Sequence, residues 1–230
     1  MDFDIRIYHT IRITDEIGIN ITETTVVTWI IMTILIGVSI IVRLRISKWE
    51  KNDKPTGFQN IIEMAVESFD KFYTNTAGTK TVAFAPWAFS LFVFLIFANI
   101  IGITSLRPPT ADWGMTFALA TTSLIMFNFA GFKYRPVKYL KSFVEPVFVF
   151  LPLNIISEFA RPISLSFRLF GNIMGGMILL SLLYGLAPIF ARFILPVALH
   201  LYFDLVSGLL QAVIFTVLSI VFFSLAAGDD

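Results

Sequence analysis

The sequence predicts an all-α membrane protein: about five membrane helices, one amphipathic surface helix, and a last pair of helices that are long and strongly tilted. Three observations carry this reading. Hydrophobic residues make up 57 % of the 230-residue chain and charged residues 14 %, whereas a water-solvated domain carries about 25 % charged residues. Apolar runs of about 20 residues, the length a helix needs to cross a bilayer, recur along the chain. Two C-terminal runs are far longer than that.

The same composition excludes other classes. A net charge of +1 leaves no basic excess to neutralise phosphates, so no nucleic-acid partner is expected. Without cysteine there is no disulfide, thiolate metal site or cysteine nucleophile. The two histidines, His9 and His200, lie far apart, so no histidine metal cluster is expected. No Gly-rich phosphate loop ending in Lys-Ser/Thr occurs, and no cofactor is expected.

Residues 1–23 mix Asp2, Asp4, Arg6, Arg12, Asp15 and Glu16 with scattered isoleucines. That is unlike the basic start and apolar core of a cleaved signal peptide, and it reads as a segment outside the bilayer. Residues 24–44 form the first span, ending at Arg43 and Arg45. A polar stretch with the breakers Pro55 and Gly57 follows. In residues 58–73, Ile61, Ile62, Ala65, Val66, Phe69 and Phe72 recur at helical spacing, opposite Glu63, Glu67, Asp70 and Lys71. This predicts an amphipathic helix on the cytoplasmic surface, too polar to cross lipid.

Residues 86–105 are the second span and 113–132 the third, joined by a short loop with two prolines that makes them antiparallel neighbours. A basic run follows: Lys133, Arg135, Lys138 and Lys141. Residues 146–186 and 193–227 are then almost wholly apolar. As continuous helices they would measure on the order of 50–60 Å, against a hydrocarbon core about 30 Å thick. Each must be broken or strongly tilted, and tilt is the expectation. The basic connections at 43–54 and 133–141 belong in the cytoplasm. That places the N-terminus, the Arg107 loop and the turn near Pro188 outside, and the C-terminus inside. Residues 1–230 form one membrane domain without internal repeats.

The polar residues inside the two long segments carry the chemistry: Glu158, Arg161, Arg168, Asn172, His200, Asp204 and Gln211. A charge near the bilayer centre is costly, so such groups face a water path or a partner charge. Arg161 and Arg168 are two turns apart and Arg168 and Asn172 one turn, so the three share a helix face. Asp204 and Gln211 share another, with His200 one turn before Asp204. Ordinary alternatives stand beside these roles: an Arg161–Glu158 ion pair, an Asp204–His200 pair, and helix–helix hydrogen bonds from Asn172 and Gln211.

The run Arg161-Pro-Ile-Ser-Leu-Ser-Phe-Arg168-Leu-Phe-Gly-Asn172 resembles the signature of F-type ATP synthase subunit a. Leu210-Gln211-Ala-Val-Ile-Phe215 is similar to that family's final-helix stretch Leu-Gln-Ala-Phe-Ile-Phe. Pro109-Thr-Ala-Asp112, followed by Thr116, is similar to its outer loop. The order of features agrees from Thr24 to the C-terminus. The resemblance implies a stator subunit beside a rotating c-ring, with peripheral-stalk b subunits as further partners, in a bacterial plasma membrane. H+ or Na+ would pass between half-channels and ring carboxylates, coupled to ATP synthesis or hydrolysis on other subunits.

Arg168 would be the motif arginine, a cation that keeps its charge at any accessible pH and favours ion release from each passing carboxylate. Asp204, alone or with His200, would serve the outer path; Gln211 and Asn172 would line a half-channel or bond between helices, Asp112 would stand at the channel mouth or be an ordinary acid of the outer loop, and Glu158 would line the inner exit or pair with Arg161. Where many family members carry Glu or His nine residues after the arginine, this chain has Met177, which leaves Asp204, alone or with His200, for the outer path. The rival reading, a secondary ion transporter, calls for internal repeats and helices broken near the midplane.

Overall fold

Four helices build the centre of the molecule, because each presents a stripe of small and apolar residues to the others. A computed structural model describes residues 7–14, 17–46, 57–104, 106–186 and 191–228. The core helices are α3 (Ala85–Ile100), α4 (Trp113–Tyr134), α6 (Leu151–Leu186) and α8 (Gly208–Ala227). At one end Phe84, Ala88, Phe127, Ala130, Ile220 and Phe223 pack together. Nearer the other, Leu91, Leu95, Ala120, Leu165, Leu169, Ala212 and Phe215 do so. Large apolar side chains cover the outside, among them Ile34, Ile40, Phe129 and Leu210. That arrangement suits lipid as solvent, since backbone polar groups are satisfied within the helices.

Five stretches are long and apolar enough to cross a membrane: Glu23–Ile46, Val82–Thr104, Trp113–Tyr134, Phe148–Leu186 and Leu195–Ala227. The first is α1 (Glu23–Ile46), whose buried residues Thr24, Val27, Thr28 and Ile31 all lie in its first turns. Val27 and Ile31 meet Ala98 of α3. The amphipathic helix α2 runs over Gly57–Ala77, one turn longer than its pattern predicts. It docks through Phe69, Tyr73 and Ala77, and the buried Tyr73 hydroxyl donates to the Thr81 carbonyl at 3.0 Å.

Three features depart from the sequence reading. The N-terminal segment forms an antiparallel hairpin, β1 (Ile7–Thr14) with β2 (Ile17–Thr22). Alternating β-branched residues on both sides of residues 15–16 carry the signal that was there to be used. The basic connection folds as a short helix, α5 (Pro136–Ser142), started by a proline whose missing N–H costs a first turn nothing.

The last long segment is not one regular helix. It is α7 (Ala191–His200), a π-helical turn at Leu201–Ser207, and α8. In contrast, α6 is a single 36-residue helix despite Pro162 inside it. At 1.5 Å per residue α6 is about 54 Å long and exceeds an upright span of the hydrocarbon core. The polar connection at 47–56 and the turn near Pro188 lie outside the described residues.

Candidate functional site

The long helix α6 has two unlike faces. Pro162, Leu165, Ser166, Leu169, Ile173, Gly176 and Leu180 recur at helical spacing and are buried in the bundle. On the other side Ser157, Ala160, Ser164, Arg168, Gly171 and Gly175 are exposed. A Cβ added at Gly171 or Gly175 would meet no atom within 4 Å, so no described residue covers the stripe at these two positions. Arg168 stands at the midpoint of α6 and in the middle of the small-residue stripe. Among the described residues it makes no hydrogen bond or ion pair. A cleft of about 420 Å³ leads from it along Ser164, Ala160, Arg161 and Ser157, walled by Leu218 and Phe222 of α8.

At the end of that cleft lies a polar cluster. Arg161 Nη1 is 2.9 Å from Glu158 Oε2, and its guanidinium sits over the Phe222 ring at 5.2 Å, a cation–π contact. The other carboxylate oxygen, Oε1, receives Asn128 Nδ2 of α4 at 3.3 Å and the Tyr139 hydroxyl of α5 at 3.1 Å. Tyr139 also reaches Asn128 Oδ1 at 2.7 Å. Burial, and then the Glu158 charge, push the Tyr139 hydroxyl well above the usual tyrosine range. It therefore remains an O–H donor throughout physiological pH.

A second polar group gathers where the π-helical turn meets α3 and α6. His200 Nδ1 is 2.7 Å from Asp204 Oδ2, and the Asp204 side chain is only 13 % exposed. Asp204 lies against Gly102, where an added Cβ would come within 3.3 Å of the carboxylate carbon. Two asparagines hold the turn in place. Fully buried Asn99 donates to the Gly208 carbonyl at 2.9 Å and accepts from Thr110 Oγ1 at 2.9 Å. On the α6 side, Ser207 donates to Asn172 Oδ1 at 2.8 Å. Gly176 permits the close approach, since a Cβ there would sit 2.8 Å from the Phe203 ring. π-Turns of this kind occur often at functional sites, and here the turn carries Asp204.

The structure thus separates the sequence-selected residues. Arg168 and Arg161 line one cleft, with Glu158 paired to Arg161, and His200, Asp204 and Asn172 share the π-turn region. Gln211 is 5 % exposed on α8, and its Nε2 makes no hydrogen bond to another described residue. Asp112 has two structural tasks: it caps α4 by accepting from Gly114 N at 2.9 Å, and it accepts from Thr24 Oγ1 at 3.2 Å. Sequence reasoning missed Asn99, Asn128 and Tyr139. The two asparagines lie inside apolar spans, where a polar residue is itself a signal. Among the described residues no group of three His, Asp or Glu side chains could hold a metal ion.

Residues 25–224 match the family model described as ATP synthase A chain. The chain is 33 % identical over 229 residues to "ATP synthase subunit a, sodium ion specific" of Propionigenium modestum, covering 92 % of this chain and 76 % of the relative. It is 36 % identical over 192 residues to ATP synthase subunit a of Oceanobacillus iheyensis, covering 77 % and 80 %. Against the subunit a of Moorella thermoacetica it is 32 % identical over 206 residues, covering 89 % and 90 %.

Proposed function

Since the chain belongs to the ATP synthase A chain family, we propose that its exposed arginine stripe is the surface past which the c-ring carboxylates move. The protein is an ion-translocating stator subunit of an F-type ATP synthase and an integral plasma-membrane protein. The observation that carries the site assignment is Arg168: mid-helix, exposed, and unpaired among the described residues, on a stripe of serine, alanine and glycine. A permanent cation in that position needs an anion from a partner, and small residues let a partner helix approach closely.

Two half-channels meet at Arg168. The outer one runs by His200 and Asp204, with Gln211 and Asn172 deeper in and Asp112 at its mouth. The inner one is the cleft that ends at Glu158 and Arg161. When a ring carboxylate reaches Arg168, the guanidinium favours its ionised form and releases the bound ion; the same charge repels an ion leaking straight across. The N-terminus lies outside and the C-terminus in the cytoplasm, a reading supported by the basic connections at 43–54 and 133–141, which belong on the cytoplasmic side. Residues 1–230 act as one membrane domain, peripheral-stalk b subunits hold it against the ring's torque, and nucleotide chemistry belongs to other subunits. The translocated ion is H+ or Na+, and uptake assays with and without sodium separate the two.

The test is ATP-driven ion uptake into vesicles bearing Arg168→Ala, with assembly and ATP hydrolysis confirmed. Uptake is expected to vanish; uptake at the native rate would remove Arg168 from the path.

A further inference from the structure

The Glu158 carboxylate is held by three donors from three elements: Arg161 of α6 at 2.9 Å, Asn128 of α4 at 3.3 Å and Tyr139 of α5 at 3.1 Å. All three donate, the single Tyr139 hydrogen being shared between Glu158 Oε1 and Asn128 Oδ1 at 2.7 Å, so both carboxylate oxygens are served as acceptors. Its side chain is 12 % exposed, and its ion-pair partner Arg161 lines the cleft together with Arg168. Tyr139 is seated independently of the carboxylate. Its ring packs edge-on against Phe132 and Phe143, each with centroids 5.3 Å away. It also lies so close to Gly131 that an added Cβ there would stand 2.7 Å from the ring. The tyrosine is therefore a rigid arm that brings a hydroxyl from the connecting helix to an acidic group on α6.

We propose that Tyr139, seconded by Asn128, is a positioning residue for ion release, fixing the Glu158 carboxylate at the inner end of the cleft beside Arg161. This rests on the inner-path reading of Glu158. Held from the α4–α5 side, the carboxylate stays at the cleft's end, where it draws a departing cation onward. Released, it is free to swing into the cleft toward Arg168, which closes the exit. Hydrogen bonds to charged groups in such networks act jointly, so the residues should be coupled in function.

The test is a double-mutant cycle on ATP-driven ion uptake per ATP hydrolysed, in vesicles holding the assembled complex. Tyr139→Phe removes the hydroxyl and keeps the ring contacts; it should slow uptake about tenfold or more, the scale of one hydrogen bond to a charged group. Glu158→Gln should slow uptake as well, and the double variant should be no slower than Glu158→Gln alone. Asn128→Ser, which removes the second donor, should show the same dependence. Multiplying effects in the double variant would mean that Tyr139 acts only on the fold, and would overturn the proposal. Native uptake in Tyr139→Phe beside slowed Glu158→Gln would overturn it alone; native uptake in Glu158→Gln would remove the inner-path reading beneath it.

Discussion

Two arginines stand two turns apart on α6 and live in opposite circumstances. Arg161 is satisfied inside the chain, by the Glu158 carboxylate on one side and the Phe222 and Phe127 rings on the other. Arg168 has no such partner among the described residues and faces outward among residues too small to cover it. One chain cannot neutralise a mid-bilayer guanidinium by leaving it bare, because the desolvation penalty is several kcal/mol. On the proposed reading, the surroundings of Arg161 are complete within the chain and those of Arg168 are half of an interface. What completes it must carry negative charge and approach within a side chain's reach.

The comparison breaks most visibly at neighbouring glycines. Gly175→Leu puts bulk on the open stripe, where an added Cβ meets no described atom within 4 Å, and should leave the subunit folded and assembled. Ion uptake should fall by about tenfold or more, the cost of about 1–3 kcal/mol of overpacking against a partner. Gly176→Leu, one residue on, drives a side chain into Phe203 and should instead reduce the amount of assembled subunit. Quantifying subunit and uptake in the same vesicles separates the two; equal loss of assembly in both would refute the two-faced description of α6.

A smaller effect is expected from Arg161→Gln. The change strips Glu158 of its one cationic partner but keeps Asn128 and Tyr139 as donors. Uptake should fall severalfold, about 1–2 kcal/mol in the rate-limiting step, while remaining measurable. Complete loss, matching that expected of Arg168→Ala, would erase the distinction between the two arginines. The smallest effect belongs to Asp112→Asn. Asparagine caps helices about as well as aspartate, so stability should change by only about 0.5 kcal/mol. Uptake at the native rate would confine Asp112 to capping α4 and tying it to Thr24; a severalfold drop would restore it to the outer path.

Much of this architecture was legible in the sequence, because lipid imposes a simple rule. A run of about 20 apolar residues is a span, and a charge inside one demands a reason. Arg168, Asp204 and Glu158 stood out for that reason. The boundaries of α1 and α4 lie within two residues of those the apolar runs predict. The π-turn at Leu201–Ser207 was not legible, since it follows from tertiary packing: Asn99 and Ser207–Asn172 hold it, and Gly176 makes room for Phe203. None of these has a spacing signature. The N-terminal hairpin is legible in the period-two recurrence of isoleucine on both sides of residues 15–16, although the charged residues interspersed there give the segment the polarity of a loop. Asn128 and Tyr139 lie 30 and 19 residues before Glu158, and only the folded chain brings them to it.

Completion of the Arg168 stripe by the c-ring is open to a direct cross-linking test. The native chain has no cysteine, so a single one can be placed on either face of α6 in an otherwise cysteine-free complex. Oxidative cross-linking from Gly171→Cys to a cysteine introduced at carboxylate depth on the c subunit tests the claim directly, with Leu169→Cys on the buried face as control. A cross-link from residue 171 and none from residue 169 is the predicted result. No cross-link from residue 171, in complexes shown to be assembled and active in ATP hydrolysis, would contradict it.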